Sequence, residues 1–172
     1  MGFSITDIFR KIKLRYGSEA TVNATLRAMG VRVGEGSRIY TLRFPSEPYL
    51  IRIGDKCLIA PDVTFVTHDA NWVLQDRYDS LTGFGKIDIK DNCYIGVNAT
   101  IMPNVTIGPN AVVGAGSVVT KDVPEGVVYA GNPAKQICTV EELDAKAMDG
   151  HIDVPTDRAE LRKVLEKHFW GE

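Results

Sequence analysis

The sequence offers little from which a metal site, a disulfide framework or a membrane span could be built. Its three cysteines, Cys57, Cys93 and Cys138, fall in no CxxC or other metal-ligand spacing, and they read as reduced structural residues. A net charge of −2 with no basic run argues against a phosphate-backbone partner, so no nucleic acid is expected. No apolar run is long enough to cross a bilayer. The N-terminal stretch FSITDIFRKIKLRYG is broken by Asp7, Arg10, Lys11, Lys13 and Arg15, too charged for a signal-peptide core and too short to span. A soluble, cytoplasmic protein without an integral membrane segment is expected. A length of 172 residues suits one core-bearing domain with a small helical appendage.

What the sequence does have is a period. Large apolar residues recur every six positions at Ile89, Ile95, Ile101, Ile107, Val113 and Val119, and the same phase holds upstream at Ile53, Ile59 and Phe65. A second register follows four positions later with small or β-branched residues: Cys93, Ala99, Val105, Ala111, Ser117 and Val123. Upstream it continues through Cys57 and Val63 and departs only at Asp69. Gly54, Gly96, Gly108 and Gly114 form a third register. Asp62, Asn92, Asn98, Asn104 and Asn110 recur where the chain must bend through positive φ.

Linked registers of this kind predict a coil of three short strands per rung, roughly eighteen residues to a turn of a triangular prism. The large aliphatic residue fills the axis. The small one, Cys57 and Cys93 included, packs as a compact filler near a corner. The segment VGEGSRI, with Val33, Gly34, Ser37 and Ile39, reads as an earlier rung put out of phase by an insertion around FPSEPY. The expected division is a helical cap over residues 1–30, a parallel β-helix over 31–138 with a loop at 69–88, and a helical tail over 139–172. The fold class is therefore mainly β, with Thr139 and Thr156 near the starts of the tail helices.

Between Phe65 and Ile89 the period breaks over THDANWVLQDRYDSLTGFGKID. A loop thrown out of a rigid prism is where binding and catalytic residues concentrate. This one holds His68, the single histidine of the repeat region; His151 and His168 read as solvated residues of the charged tail. A neutral imidazole is the usual group for taking a proton from an alcohol at neutral pH, and no Ser/His/Asp or Cys/His set competes with it. The other reading of His68 is a loop anchor. Asp69 is a poor partner for the ring, because adjacent strand residues point to opposite faces.

The runs IGDKCLIAPDVTFVTHDANW and IDIKDNCYIGVNATIMPNVTIGPNAVVGAGSVVTKDVPEGVVYAGNPAKQI resemble the hexapeptide-repeat acyltransferases over residues 31–138. The likeness is most nearly to the sugar O-acetyltransferases of bacterial surface-polysaccharide pathways, and then to galactoside, maltose and xenobiotic acetyltransferases. The resemblance implies a left-handed parallel β-helix, an exception to the usual right-handed crossover. It further implies a homotrimer with active sites between subunits, acetyl-CoA as cosubstrate, no metal, and His68 as catalytic base.

By the same resemblance, Tyr94, Val97, Ala115, Thr120, Lys121 and Lys135 are the cofactor-binding candidates. Val97 would offer a backbone amide near the thioester oxygen, and Lys135 would meet a CoA phosphate where relatives often carry arginine. Glu47 aligns with an acidic residue that contacts the sugar in galactoside acetyltransferases. Asn71, Trp72 and Arg77 complete the substrate-binding candidates, with Trp72 offering a face on which a sugar ring can stack. Each position also has a plain role: Ala115 and Thr120 satisfy the repeat, Lys121 is a turn charge and Tyr94 packs.

The expected reaction is direct acetyl transfer to a hydroxyl of a sugar or polysaccharide precursor. An aminosugar N-acetyltransferase and a non-catalytic trimeric scaffold are the alternatives. A zinc hydratase on the same prism would need three histidines around the metal, and the prism region supplies one.

Overall fold

The computed structural model describes residues 5–70, 76–78, 82–149, 152 and 154–171. The chain divides into two compact units, Met1–Glu141 and Glu142–Glu172. The first is built mostly of two- and three-residue strands arranged in three parallel sheets, which the chain visits in turn. The first face stacks 32–33, 51–53, 87–89 and 106–107. The second stacks 38–39, 58–59, 94–95, 112–113 and 127–131, and is closed by an antiparallel strand, Ala134–Thr139. The third stacks 64–65, 100–101 and 118–119.

The registers explain the sixfold period. Ile89 pairs with Ile107, Ile95 with Val113, and Ile101 with Val119, so residues eighteen apart lie over one another. Upstream, Ile53 pairs with Ile89, Ile59 with Ile95 and Phe65 with Ile101, each pair spanning twice that interval because the excursion lies between them. Val33 and Ile39 extend the first two columns, so the VGEGSRI rung is present. Three columns of aliphatic side chains thus face inward, and Ile53, Ile59, Ile89, Ile95, Ile101, Ile107 and Val113 are fully buried. Each rung also completes the backbone hydrogen bonds of its neighbours, which leaves few buried polar groups unpaired.

The corners carry the chain through positive φ at Asp62, Asn92, Asn98, Asn104 and Asn110, as the spacing predicts. Asn and Asp tolerate this conformation at less cost than other side chains. Lys56 joins them; its amide donates to Glu35 O at 2.8 Å in the rung below. The glycine register has a steric cause. A Cβ on Gly96 would lie 2.5 Å from Ala115 N in the next rung, so no larger residue fits there without parting the rungs.

The small-residue slot between the first and second faces holds Ser37, Cys57, Cys93 and Ala111, each essentially buried. The slot is more than filler. Ser37 Oγ donates to Gly54 O at 2.7 Å, Cys57 Sγ to Lys90 O at 3.0 Å and Cys93 Sγ to Gly108 O at 3.0 Å. A hydroxyl or thiol therefore satisfies a carbonyl of the rung above, a need that apolarity alone does not reveal.

Helix α1 (Ile5–Tyr16) and helix α2 (Glu19–Ala28) form the N-terminal cap. Ser18 caps α2 by accepting from Thr21 N, and α2 buries Val22 and Leu26 against the first rung. Asn23 Nδ2 donates to Ser37 O at 2.8 Å and Arg27 Nε to Val33 O at 2.9 Å, closing the open sheet edge. In the tail, α3 (Val140–Asp149) and α4 (Arg158–Trp170) are helical. The cap of α4 is Asp157, whose Oδ1 accepts from Ala159 N and Glu160 N at 2.9 Å; Thr156 stands one residue too early. Among the described residues no helix is long and apolar enough to cross a membrane.

Replacing Cys57 by valine removes the donor to Lys90 O and adds a methyl group to a full corner. Cys57→Val is expected to lower stability by about 1–3 kcal/mol in urea denaturation, and Cys57→Ser by less, since serine already fills the same slot at position 37.

Candidate active site

The third face ends at Phe65, whose successor Val66 donates its amide to Ile101 O at 2.9 Å; the chain then leaves the prism and is back in the first face at Ile87. The base of this excursion is an antiparallel pair, His68–Ala70 against Thr82–Phe84, with His68 opposite Phe84. Gly85 pins the returning leg. Its amide donates to Thr67 O at 2.8 Å, and a Cβ there would lie 2.7 Å from both Asn104 N and Pro103 Cβ in the next rung. The histidine is therefore held on a two-stranded base fixed to the prism corner.

The earlier insertion, around FPSEPY, reaches the same corner. Thr41 Oγ1 donates to Val63 O at 2.7 Å and the Phe44 ring packs on Phe65 with centroids 5.3 Å apart, which sets the path of the chain. That path delivers the Glu47 carboxylate to the imidazole: Glu47 Oε2 lies 2.8 Å from His68 Nδ1 and accepts from Thr67 Oγ1 at 2.9 Å. Thr67 is fully buried, while the side chains of Glu47 and His68 are 15% and 39% exposed.

Burial pushes the Glu47 carboxyl upward, but hydrogen bonds from Ser46, His68 and Thr67 outweigh it and hold the group below its ordinary value. Glu47 is thus an ionised acceptor at neutral pH. A carboxylate can only accept, so Nδ1 of a neutral His68 carries the proton and Nε2 keeps its lone pair. The ring also lies 5.8 Å from the Phe84 ring, which limits its tilt. An oriented imidazole on a partly exposed side chain, with the Nε2 lone pair unprotonated, is a geometry for taking a proton from a bound hydroxyl.

Glu47 was expected to touch a sugar; its Oε2 is engaged with Thr67 and His68. Sequence periodicity did not find this pairing, although both residues sit in the two places where the period is interrupted. The remaining candidates lie elsewhere on the prism. Val97 and Ala115 stack in the corner between the second and third faces, joined by Gly116 N donating to Val97 O at 2.8 Å, and both are exposed. Thr120 and Lys121 occupy the corner between the third and first faces, two rungs above His68, and are exposed.

Tyr94 points outward from the second face, between Leu58 and Val112 in the register, and lines a hollow of about 760 Å³ with Lys56, Asn92 and Glu141. Lys135 is exposed on the antiparallel edge strand, and Arg77 is exposed in the excursion. Asn71 and Trp72 lie outside the described residues. Among the described residues, no group of three or more His, Cys, Asp or Glu side chains is placed to hold a metal ion.

Residues 86–121 match the bacterial transferase hexapeptide model (six repeats). The protein CapG of Staphylococcus aureus is 44% identical over 146 residues, which is 83% of this chain and 83% of CapG. The chain belongs to the hexapeptide-repeat transferase family. It is an acyltransferase. The galactoside O-acetyltransferase of Escherichia coli is 44% identical over 100 residues, 57% of this chain and 48% of that enzyme.

Among solved structures of the family, a hexapeptide-repeat acetyltransferase of Vibrio cholerae complexed with acetyl coenzyme A superposes with a TM-score of 0.63. It is 27% identical and covers 81% of this chain and 91% of that one. A maltose O-acetyltransferase of Clostridium difficile gives 0.60 at 28% identity, covering 77% and 84%.

The family's shared prism does not by itself orient a histidine, so the Glu47 contact is a local test of this site. Nitrogen-15 NMR of His68 at neutral pH is expected to show Nδ1 protonated and Nε2 bare. Glu47→Ala should return the ring towards the mixture of tautomers of free imidazole. Because hydrogen bonds hold the Glu47 carboxyl below its ordinary value, it remains the charged acceptor for Nδ1 at neutral pH, where the measurement is made.

Proposed function

We propose that this acyltransferase moves an acetyl group from acetyl-CoA to a hydroxyl of a sugar or polysaccharide precursor, with His68 as general base and Glu47 as its positioning residue. The observation that carries the reading is the Glu47–His68 hydrogen bond of 2.8 Å. Nε2 accepts the proton of the acceptor hydroxyl as its oxygen bonds to the thioester carbonyl carbon. The C–S bond then breaks, and the proton passes from Nε2 to the departing CoA sulfur. The acceptor oxygen attacks directly, without an acylated side chain on the enzyme. A backbone N–H at Val97 is assigned to the carbonyl oxygen, where charge develops. The acetyl-CoA complex of the Vibrio relative and the O-acetyltransferase names of the galactoside and maltose relatives support the donor and the acceptor class.

The assembly we propose is a trimer of left-handed prisms with each site shared between two subunits. His68 and the Val97–Ala115 pair sit at opposite ends of the third face. A neighbour's Val97–Ala115 corner brought against His68 would complete a cleft. In that arrangement Tyr94, Thr120, Lys121 and Lys135 are assigned to the pantetheine and nucleotide portions of CoA, and Asn71, Trp72 and Arg77 are kept as the candidates for binding the acceptor.

His68→Ala is expected to lower kcat by about 10²–10⁴ while the KM for acetyl-CoA stays near wild type. Release of free CoA, with matched hydroxyl and amino sugars as acceptors, measures it. Full activity in that variant would overturn the base assignment, and turnover of the amino sugar alone would replace O-transfer by N-transfer.

A further inference from the structure

Helix α1 turns its apolar side chains away from the prism it caps. Ile8, Phe9, Ile12 and Tyr16 fall within about 100° of the helix circumference, given 3.6 residues per turn. They are 49%, 60%, 49% and 78% exposed. The residue of α1 that packs against the core is Leu14, which projects from the opposite side. Folding of this unit therefore does not bury the larger apolar stripe. A helix of a soluble domain normally arranges the reverse.

The α1 charges that border that stripe are basic. Lys13 and Arg15 border it, one on each side, and Arg10 and Lys11 lie further round; all four are exposed. Over its twelve residues α1 holds four basic side chains and one acidic, a net +3 in a chain of net −2, so the remainder carries −5. The helix is thus a locally positive element in a chain whose remainder is net negative. At the end of the stripe, Tyr16 is an amphipathic ring of the kind enriched at membrane–water interfaces, with the Arg15 guanidinium 6.0 Å from its centroid.

We infer that α1 is an in-plane anchor: it lies on an anionic bilayer surface, with Ile8, Phe9, Ile12 and Tyr16 at the boundary of headgroups and acyl chains. Lys13 and Arg15 then meet the lipid phosphates. An apolar stripe alone would suit a protein partner equally well. Basic residues on both borders, in a chain otherwise acidic, select an extended negative surface. Since α1 packs on α2 and α2 caps the first rung, the membrane would meet the end of the prism and leave its three faces clear. Attachment of this kind is peripheral and reversible. The inference stands independently of the proposed acetyl transfer.

Flotation of the full chain with vesicles tests it. Wild type is expected to float with vesicles of equal parts phosphatidylcholine and phosphatidylglycerol, to stay behind with phosphatidylcholine alone, and to be released by added salt as screening shortens the reach of the charges. Lys13→Glu with Arg15→Glu should lower partitioning at least about tenfold, and Phe9→Asp with Ile12→Asp should do the same. Circular dichroism and light scattering on each variant monitor fold and assembly. No binding by wild type, or unchanged binding by the charge-reversed variant, overturns the inference. So does a change of oligomeric mass in either variant, which would make the stripe a contact between subunits.

Discussion

The stacking of aliphatic side chains eighteen residues apart is the constraint from which the first unit follows. An inward Ile or Val on one rung rests on the equivalent residue of the next, and the same register lines up the backbone groups for parallel pairing. Apolar burial and hydrogen-bond satisfaction therefore require one geometry, which two-residue strands could not hold separately. The close spacing in turn admits only glycine at position 96 and only short side chains at positions 37, 57, 93 and 111, where Ser and Cys also satisfy carbonyls of the rung above. The ends of such a column are its weak points, and α2 meets one of them with Leu26 and Asn23.

A scaffold this regular makes its departures informative. The chain leaves the period twice, around FPSEPY and after Phe65, and both departures arrive at one corner. There, Thr67 and His68 share Glu47 Oε2, and the carboxylate is held ionised by the hydrogen bonds it accepts. The imidazole depends on this arrangement for its tautomer. The stacked columns are built from residues outside both departures, so loops can vary over one core.

The prism was legible because its signal is repeated: nine apolar positions in one phase and a second register beside them leave few alternative folds. The Asn and Asp corners were legible for a related reason, since positive φ narrows the choice of residue. The excursion, and His68 within it, stood out as the gap in the pattern. Glu47 as the partner of His68 did not. Twenty-one residues and an irregular insertion separate the two, and no periodicity says where an aperiodic loop will lie. The cysteine slots were read as small and buried, but the carbonyls they serve belong to the next rung and appear only when rungs are stacked. The exposed stripe of α1 was hidden similarly: its amphipathic pattern is in the sequence, but which face meets the prism is a matter of packing, and Leu14 decided it.

By itself, the sequence determined the period, the rung, the corner chemistry and the histidine that the repeat isolates. All of these are encoded by residues close in the chain or at fixed spacing, where geometry follows directly from count. Tertiary structure decided the partner of His68, the donors in the corner slots and the outward face of α1. Those depend on which distant segments touch, and contact between segments is set by the shape of the whole fold rather than by any local pattern.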